Sequence, residues 1–393
     1  MVNRAIGYAY PWDFVDDPAA APRARALGLD AVAVAANYHA VRAGTPLHPE
    51  HCTVEAPRAA CYVPVREHTW QQQRLKPARA TWSRVRDPFG RARDAIHAEG
   101  LEVHAWTVLT HNTYLGSANP DLTVRNAFGE RYPYALCPSS DDVIDYCETL
   151  VAEIATLGQA DGLILEAFGP LGFVHEGHHD KTNLAGWSEL QQRLLSVCLC
   201  SGCESRYRAA GLAPAEVANA IRRAVREGTS AGSTAEVVGA ETAAVLAEVR
   251  ADVVRRMRTR LLFRARELAP GLRVALHASA DPLASGPFST VAGGIGGPVD
   301  ALVGTCWQPG PEGADNLRAL AAVAEQDTAI GGYLLADGTW GSGAEPGGID
   351  TASRVGQYVA AGMDELHLYH LGLTGRQGLR LMADILAAAR SAT

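Results

Sequence analysis

A single carboxylate stands at the end of a short apolar run. Residues 162–165 are glycine, leucine, isoleucine and leucine; Glu166 follows, and Gly169 breaks the segment. This pattern predicts a buried strand that carries Glu166 to the edge of a parallel sheet, where active sites are assembled. Glu166 is therefore the first candidate for catalysis. The alternative is a structural ion pair with an arginine or a lysine.

Two further carboxylates follow apolar runs and could act together with Glu166. Hydrolysis of a glycosidic bond normally needs one carboxyl group that protonates the leaving oxygen and a second that acts as nucleophile or activates water. Asp337 comes directly after the run at residues 330–336 and is the better placed partner, and Asp281 is the second choice. Since Asp337 precedes Gly338, the alternative is that this pair only forms a turn.

Aromatic and histidine side chains dominate the other positions at the predicted strand ends. Aromatic faces stack on sugar rings, while histidine and amide groups bond hydroxyls, so these positions indicate a carbohydrate-like ligand. His277 and His39 would hold hydroxyls, and Trp307 or Tyr369 would provide a stacking surface. The alternative for each aromatic residue is that it closes the core. The candidates for substrate binding are Tyr10, Trp12, Tyr38, His39, Trp106, His111, Asn112, His277, Trp307 and Tyr369.

A polar segment at residues 175–181 follows Glu166 and contains His178 and His179. Its histidines do not have the spacing of metal ligands on a regular helix, so a metal site is the weaker interpretation. We expect a lid that contacts the substrate through His178 and His179. A solvated polar loop is the alternative.

A compact cysteine motif indicates a structural metal site. Three thiolates at CxCxxC spacing can surround one zinc ion, and a closed site of this kind stabilises the fold and takes no part in catalysis. Cys147, Cys52 or Cys61 could supply a fourth ligand, and the sequence does not choose among them. Free buried thiols are the alternative. The motif consists of Cys198, Cys200 and Cys203.

Composition excludes several classes of protein. The chain has 393 residues, of which 47% are hydrophobic and 20% charged, as in globular proteins. A net charge of -8 argues against a nucleic acid or an anionic membrane as partner. We find neither a signal peptide nor an apolar run of the ~18 residues that span a bilayer. We therefore expect a cytoplasmic protein with reduced cysteines, either a monomer or a homo-oligomer.

Eight short apolar runs alternate with helical stretches along the chain. Such alternation implies parallel strands joined by right-handed crossovers, and eight units are the number that closes a (β/α)8 TIM barrel. The predicted helices are residues 18–27, 88–98, 141–156, 234–268, 316–326, 351–361 and 375–389. The predicted strands are residues 5–10, 29–35, 101–109, 162–166, 272–277, 301–306, 330–336 and 365–370.

Long segments interrupt this plan after the second, fourth and fifth strands, at residues 36–86, 167–232 and 278–299. Loops at the carboxyl ends of barrel strands carry specificity, so the insertions at 36–86 and 167–232 are expected at the active-site face. We see no internal repeat and no low-complexity linker. One elaborated domain over residues 1–393 is therefore expected.

Several motifs together resemble uncharacterised bacterial TIM-barrel proteins of the glycoside hydrolase type. The cysteine motif is also similar to the zinc-binding loop of family 42 β-galactosidases. The resemblance implies a barrel and a sugar ligand. The motifs that carry it are Tyr38-His39-Ala40, residues 46–64, Ala135-Leu136-Cys137-Pro138-Ser139-Ser140, residues 162–166, His178-His179-Asp180-Lys181 and the CxCxxC run.

The chain departs from the retaining glycosidases of this clan at two positions. There the catalytic acid on strand four usually follows an asparagine, and the nucleophile is a glutamate on strand seven. Here Leu165 precedes Glu166, and residues 330–336 contain no glutamate. The resemblance therefore supports the fold and a sugar ligand more than it supports a double-displacement mechanism.

The leading hypothesis is a glycoside hydrolase-like enzyme that acts on a carbohydrate or glycoconjugate and requires no cofactor. The first alternative is a metal-dependent sugar isomerase or epimerase that uses Glu166, His277, Asp281 and His370 around a divalent ion. The second is a sugar-binding barrel without activity. Because this fold hosts many chemistries, the fold by itself does not decide among them.

Overall fold

Eight parallel strands close into a barrel in the computed structural model, which describes residues 2–174, 181–308, 310–337, 340 and 350–392. The first strand pairs with both the second and the eighth, and this closes the sheet. All eight predicted strands are confirmed, with small shifts at their ends. The strands are β1 (Arg4–Ala9), β2 (Ala31–Tyr38), β3 (Glu102–Val108), β4 (Gly162–Glu166), β5 (Arg273–Ser279), β6 (Ala301–Thr305), β7 (Ala329–Leu335) and β8 (Glu365–Tyr369).

The helices follow the predicted alternation with two corrections. The stretch 234–268 is not one helix, because Gly239 adopts a positive φ of 90° and separates two helices there. The stretch predicted at 316–326 lies earlier in the chain, where acidic residues occupy the first turn. The helices are α1 (Ala20–Ala26), α2 (Pro88–Ala98), α3 (Thr113–Ala118), α4 (Asp141–Leu157), α5 (Glu189–Leu195), α6 (Ser201–Ala209), α7 (Pro214–Glu227), α8 (Thr234–Val238), α9 (Ala240–Leu268), α10 (Glu312–Ala321), α11 (Thr351–Ala360) and α12 (Arg376–Ser391).

The connection after β2 contains short strands and a turn of 3-10 helix, Glu67–Trp70. Val41–Gly44 and Thr53–Ala56 form an antiparallel hairpin. Ala60–Cys61 then pairs antiparallel with the end of β2, where Asn37 lies opposite Cys61. This pairing returns the chain to the barrel rim.

The connection after β3 contains a β-ribbon that the sequence analysis did not predict. The ribbon pairs Thr123–Arg125 with Arg131–Leu136 in antiparallel register. Gly129, with φ 85°, lies in the turn between them. The connection after β4 contains α5, α6 and α7, and that after β5 contains the short strand Ser289–Thr290.

Alternate residues of each strand point into the barrel interior, and several of these residues are polar. Ion pairs join Arg4 to Glu102 and Arg273 to Glu365 near the amino ends of the strands. Glycines leave room for imidazole rings above them. A Cβ at Gly162 would lie 2.6 Å from the ring of His104, so even alanine is too large there.

Among the described residues, no helix combines the length and the apolar character that crossing a membrane requires.

Candidate active site

Glu166 is the last residue of β4 and points into the mouth of the barrel. Its side chain is buried, and only 6% of the residue is exposed. Trp106 donates its indole N–H to Oε2 of Glu166 at 2.7 Å. Nδ1 of His277 lies 3.2 Å from the same oxygen, although it is not aligned for a linear hydrogen bond. The Trp106 N–H thus orients Oε2 of Glu166, and the imidazole of His277 faces the same oxygen.

Aromatic side chains from five strands surround this carboxyl group. The Trp106 ring meets Tyr8 edge-on at 5.0 Å and Tyr38 at 4.7 Å. Tyr333 contacts Tyr8 at 4.7 Å and Tyr369 at 5.7 Å. Burial raises the pKa of all four tyrosines, and the nearby charge of Glu166 adds to the shift. The phenols therefore stay protonated and can hydrogen-bond without adding charge to the site.

The predicted binding residues fall into two sets. Trp307 and Tyr369 are half-buried, and their rings contact each other at 5.2 Å, so part of this aromatic surface is open to a ligand. Tyr10 and Trp12 are exposed by 0% and 1%, and their rings lie 4.3 Å apart at a tilt of 31°. Both belong to the buried core.

The remaining candidates lie along one side of the rim. Tyr38, His39 and His111 form a continuous stack, with ring distances of 4.2 Å and 4.1 Å. Asn112 is buried and caps α3, because its side chain accepts the backbone N–H of Leu115 at 2.9 Å. His178 and His179 lie outside the described residues.

The two candidates for the second carboxylate have different surroundings. Asp337 lies two residues after the end of β7 and is half-buried at the same end of the barrel as Glu166. Asp281 forms an ion pair with Arg193 at 2.6 Å. It lines a cavity of about 730 Å³ between α5 and α10, and Glu166 is not among the residues that line this cavity. The structure therefore does not place Asp281 with Glu166 in one cavity.

Sequence reasoning missed a fourth carboxylate, Asp13, which follows β1. It is buried, accepts the backbone N–H of Tyr10 at 2.7 Å and lies 4.0 Å from Nδ1 of His370. Burial raises the pKa of Asp13 to about 7, while the Tyr10 N–H and the charge of Arg23 act in the opposite direction. Only its position two residues after Pro11, near the end of an apolar run, could have suggested it.

The raised pKa of Asp13 predicts a dependence of stability on pH. The unfolded chain releases this proton near pH 3.8, whereas the folded chain keeps it until about pH 7, so the free energy of unfolding falls through that window. An asparagine keeps the acceptor for Tyr10 and removes the titration. When the pH is raised from about 4.5 to about 8, the native chain should therefore lose Tm relative to Asp13→Asn. The corresponding change in the free energy of unfolding is at most ~4 kcal/mol. Thermal unfolding at both pH values measures this, and a pH-independent difference would contradict it.

The cysteine motif gathers around a residue that none of the sequence alternatives included. Cys137, after the β-ribbon, meets Cys198, Cys200 and Cys203, and all four sulfurs lie within 4.8 Å of one another. The prediction of Cys147, Cys52 or Cys61 as fourth ligand is therefore wrong. These three thiols lie outside the cluster, where Cys147 and Cys61 are buried and Cys52 is exposed.

The dimensions of this cluster fit a tetrahedral ion. Sγ of Cys137 lies 3.7 Å, 3.8 Å and 3.7 Å from Sγ of Cys203, Cys198 and Cys200. Zinc bonds of ~2.3 Å to sulfur in a regular tetrahedron give sulfur–sulfur distances of about 3.8 Å. Four buried thiols without an open position are the donor set of a closed, structural site.

Other contacts tie the same two connections together. Tyr132 of the β-ribbon donates its hydroxyl to the carbonyl of Leu195 at 2.8 Å. Arg125 donates to the carbonyl of Leu199 and pairs with Glu204, each at 2.6 Å. A metal at the cysteine cluster would thus fasten the connection after β3 to the connection after β4, and these two connections border Glu166.

Comparisons with known proteins add structural neighbours only. No family model matches the chain, and no curated protein matches it either. The solved structures that resemble it include an α-L-fucosidase, isoenzyme 2, from Paenibacillus thiaminolyticus, with a TM-score of 0.56 and 14% identity over 100% of this chain and 50% of that one. The PgaB (BpsB) glycoside hydrolase domain from Bordetella bronchiseptica gives a TM-score of 0.56 and 16% identity over 98% of this chain and 99% of that one.

A β-galactosidase from the psychrophilic Marinomonas ef1 matches with a TM-score of 0.54 and 12% identity, over 98% of this chain and 59% of that one. The chain thus spans about half the length of the fucosidase. At these identities the likeness shows a shared TIM-barrel fold. The class that the fold and its neighbours define is the (β/α)8 barrel.

Proposed function

We propose that this protein is a glycoside hydrolase-like enzyme with Glu166 as its general acid. The observation that carries the proposal is the setting of Glu166: a buried carboxyl group at the carboxyl end of a barrel strand, bonded by Trp106 and enclosed by aromatic rings. A partly enclosed carboxyl group beside aromatic faces suits protonation of a glycosidic oxygen next to a stacked sugar ring. The glycosidases among the structural neighbours support the same class.

Each group has a role in this reaction. A sugar ring stacks on Trp307 or Tyr369, which brings the leaving oxygen to Glu166. The Trp106 N–H holds Oε2 in place, so the carboxyl group is oriented before the substrate binds. Glu166 gives its proton to the leaving oxygen, and the second carboxylate attacks the anomeric carbon or activates the water that does so.

Asp337 is our choice for that second carboxylate. It follows β7 at the same end of the barrel as Glu166, whereas Asp281 lines a cavity whose lining does not include Glu166. Asp281 remains the second choice.

The metal-dependent alternative receives less support. Its ligands would be Glu166, His277, Asp281 and His370. Among the described residues, only the four cysteines form a group of three or more metal-ligating side chains within bonding reach of one point. We therefore assign zinc to the cysteine cluster as a structural ion and route no step of the reaction through a metal.

A panel of aryl glycosides and oligosaccharides tests this proposal. The native enzyme should hydrolyse at least one member of the panel, with activity that survives a mild chelator. Binding of sugars without turnover would instead identify a non-catalytic sugar-binding barrel. Loss of activity with a readily removed divalent ion would favour the isomerase.

The two aspartates give a matched pair of variants for the second carboxylate. Asp337→Asn should lower kcat by about 10²-fold or more, because a neutral amide neither attacks nor activates water. Asp281→Asn should keep kcat within a few-fold and alter only the contact with Arg193. Steady-state kinetics on the best substrate of the panel measures both. The opposite ranking would transfer the role to Asp281.

A further inference from the structure

The cavity between α5 and α10 lies at the active-site face of the barrel, although the reaction described so far makes no use of it. Ser279 and Thr305, the last residues of β5 and β6, both line it. The carboxyl ends of all barrel strands lie on one face, so the cavity is on the same face as Glu166. Its volume of about 730 Å³ is within the range of roughly 300–1,000 Å³ that is typical of ligand pockets.

Phe288, in the connection after β5, separates this cavity from Glu166. Its side chain lines the cavity, and its ring stacks on His277 at 5.0 Å with the two planes within 5° of parallel. His277 faces Glu166 from the other side of that stack. The backbone of the same connection is bonded to the residue after Glu166, because the N–H of Ala167 donates to the carbonyl of Pro287 at 2.9 Å. Pro287 also lines the cavity, which therefore begins next to the Glu166 site.

An aromatic surface continues from the Glu166 site to the cavity. Phe288 contacts Tyr333 at 5.7 Å, and Tyr333 stacks with Trp307 at 5.6 Å and an angle of 20°. Trp307 is one of the rings assigned above to a sugar beside Glu166. Phe288 and Trp307 are both half-buried, so part of each ring is open to a ligand. Sugar rings stack on such faces, and a ligand of several units could follow them from one site to the other.

Two arginines hold the walls of the cavity together. Arg250 of α9 is only 7% exposed and donates to the carbonyl of Ala284 at 2.9 Å and to that of Ser196 at 3.0 Å. Ser196 follows α5 and Ala284 lies in the connection after β5, and both line the cavity. Arg193 of α5 joins the same two walls through its ion pair with Asp281. The shape of the cavity is thus fixed before any ligand binds, which lowers the cost of binding.

The lining combines apolar surface with uncharged polar groups. Phe288, Leu283 and Leu320 supply apolar contact area. Hydroxyl and amide groups, which can bond the hydroxyls of a sugar, lie beside them. These polar side chains are Gln192, Ser279, Ser285 and Asn316.

The charges of the lining disfavour an anionic ligand. Arg193 is the one cationic side chain among the described lining residues, and Asp281 already pairs with it at 2.6 Å. Glu189 and Asp315 add negative charge to the lining, and Asp315 pairs with Arg318 at 2.6 Å. A sugar acid or a sulfated sugar would have to compete with these carboxylates for a cation. The cavity therefore suits uncharged sugar units.

We propose that this cavity is a second carbohydrate subsite, which binds further units of an uncharged oligosaccharide whose cleaved bond lies at Glu166. Phe288 is the stacking surface that the two sites share. The inference rests on the proposed function for the reaction at Glu166, and it adds the class of substrate: a neutral oligosaccharide of several units in place of a simple glycoside.

A tryptophan in the cavity tests the subsite. Ala319 of α10 lines the cavity and is exposed, so Ala319→Trp fills the binding space without disturbing the core. In the native enzyme, kcat/KM should rise with the length of neutral oligosaccharides. Ala319→Trp should lower kcat/KM for the longer members by about 10-fold relative to an aryl monoglycoside, mainly through KM, because binding to the subsite is lost.

Ala321→Trp is the matched control. Ala321 is an exposed alanine of the same helix that does not line the cavity, so this variant should keep the native dependence on chain length. Equal behaviour of the two tryptophan variants would overturn the subsite. Activity on aryl glycosides without any gain from longer substrates would also overturn it, while the proposed function would stand.

Titration calorimetry gives a second measurement that needs no turnover. The probes are neutral oligosaccharides of increasing length and uronic-acid oligosaccharides of the same lengths, with Glu166→Gln as the protein wherever the native chain cleaves the probe. The longer neutral probes should bind about 10-fold more weakly to Ala319→Trp than to Ala321→Trp, each combined with Glu166→Gln where the probe is cleaved.

The outcomes separate this inference from the proposed function. Tighter binding of the uronic-acid probes, or no binding of any neutral probe, would overturn the inference. A native protein that shows the expected binding pattern and no glycosidase activity would defeat the proposed function and leave the carbohydrate subsite standing.

Discussion

Replacing Glu166 by glutamine is expected to lower kcat for glycosides with poor leaving groups by about 10²–10⁴-fold, the usual contribution of a general acid. Glutamine keeps the volume of the side chain and an oxygen that can accept the Trp106 N–H, but it has no proton to give. The ground-state contacts with the sugar stay largely the same. Steady-state kinetics with a series of aryl glycosides measures the effect.

Leaving-group dependence distinguishes a lost acid from a damaged fold. The leaving group of an activated aryl glycoside departs without protonation, so Glu166→Gln should keep most of its activity on such substrates. Sugar affinity and Tm should remain close to those of the native chain, because Glu166 takes part in no ion pair with arginine or lysine among the described contacts. A uniform loss on every substrate would indicate a structural role, and unchanged turnover would remove Glu166 from the mechanism.

Cys137→Ser should release the metal and lower Tm by roughly 5–15 °C, the second large effect that we expect. Purified native protein should hold close to one zinc per chain, and the variant much less. The physical reason is the loss of the only ligand that comes from the connection after β3, which leaves three thiolates from one segment. Elemental analysis and thermal unfolding of the two proteins measure the change.

Cys147→Ser is the matched control for the metal site. Cys147 was a sequence candidate for the fourth ligand, yet it lies outside the cluster in α4. Its variant should keep its zinc. A strong chelator should lower the Tm of the native chain while brief assays at low temperature retain activity, because a metal at this cluster would hold the rim connections and not the substrate. Equal zinc content in Cys137→Ser and the native chain would exclude this site.

The barrel strands could be predicted because the apolar runs that specify them are local features of the sequence. An apolar run such as residues 162–166 is buried on both faces of a parallel sheet, so it reads as continuously hydrophobic. The β-ribbon after β3 was missed because no such apolar run marks it. In Arg131–Leu136 polar, proline and aromatic residues alternate without a continuous apolar run, and its partner strand has only three residues.

The candidate site was predictable to the extent that a residue's position in its own strand decides its role. Glu166 ends a strand, and strand ends of a parallel barrel meet at one face. Asp281 also follows a strand, but the cation that engages it, Arg193, comes from α5, far away in the chain. Pattern and spacing carry no information about such a partner.

The sequence by itself determined the barrel, the carboxylate at its mouth and a thiol cluster with metal-binding spacing, since periodicity and local order along the chain encode these. Only the tertiary structure decided that Cys137 completes the cluster and that Tyr8 joins His277 to His367. These contacts join residues that are distant in the chain. Barrel closure brings β1 beside β8 and points alternate side chains into one interior, so the partner of each buried polar group depends on the three-dimensional packing of the strands.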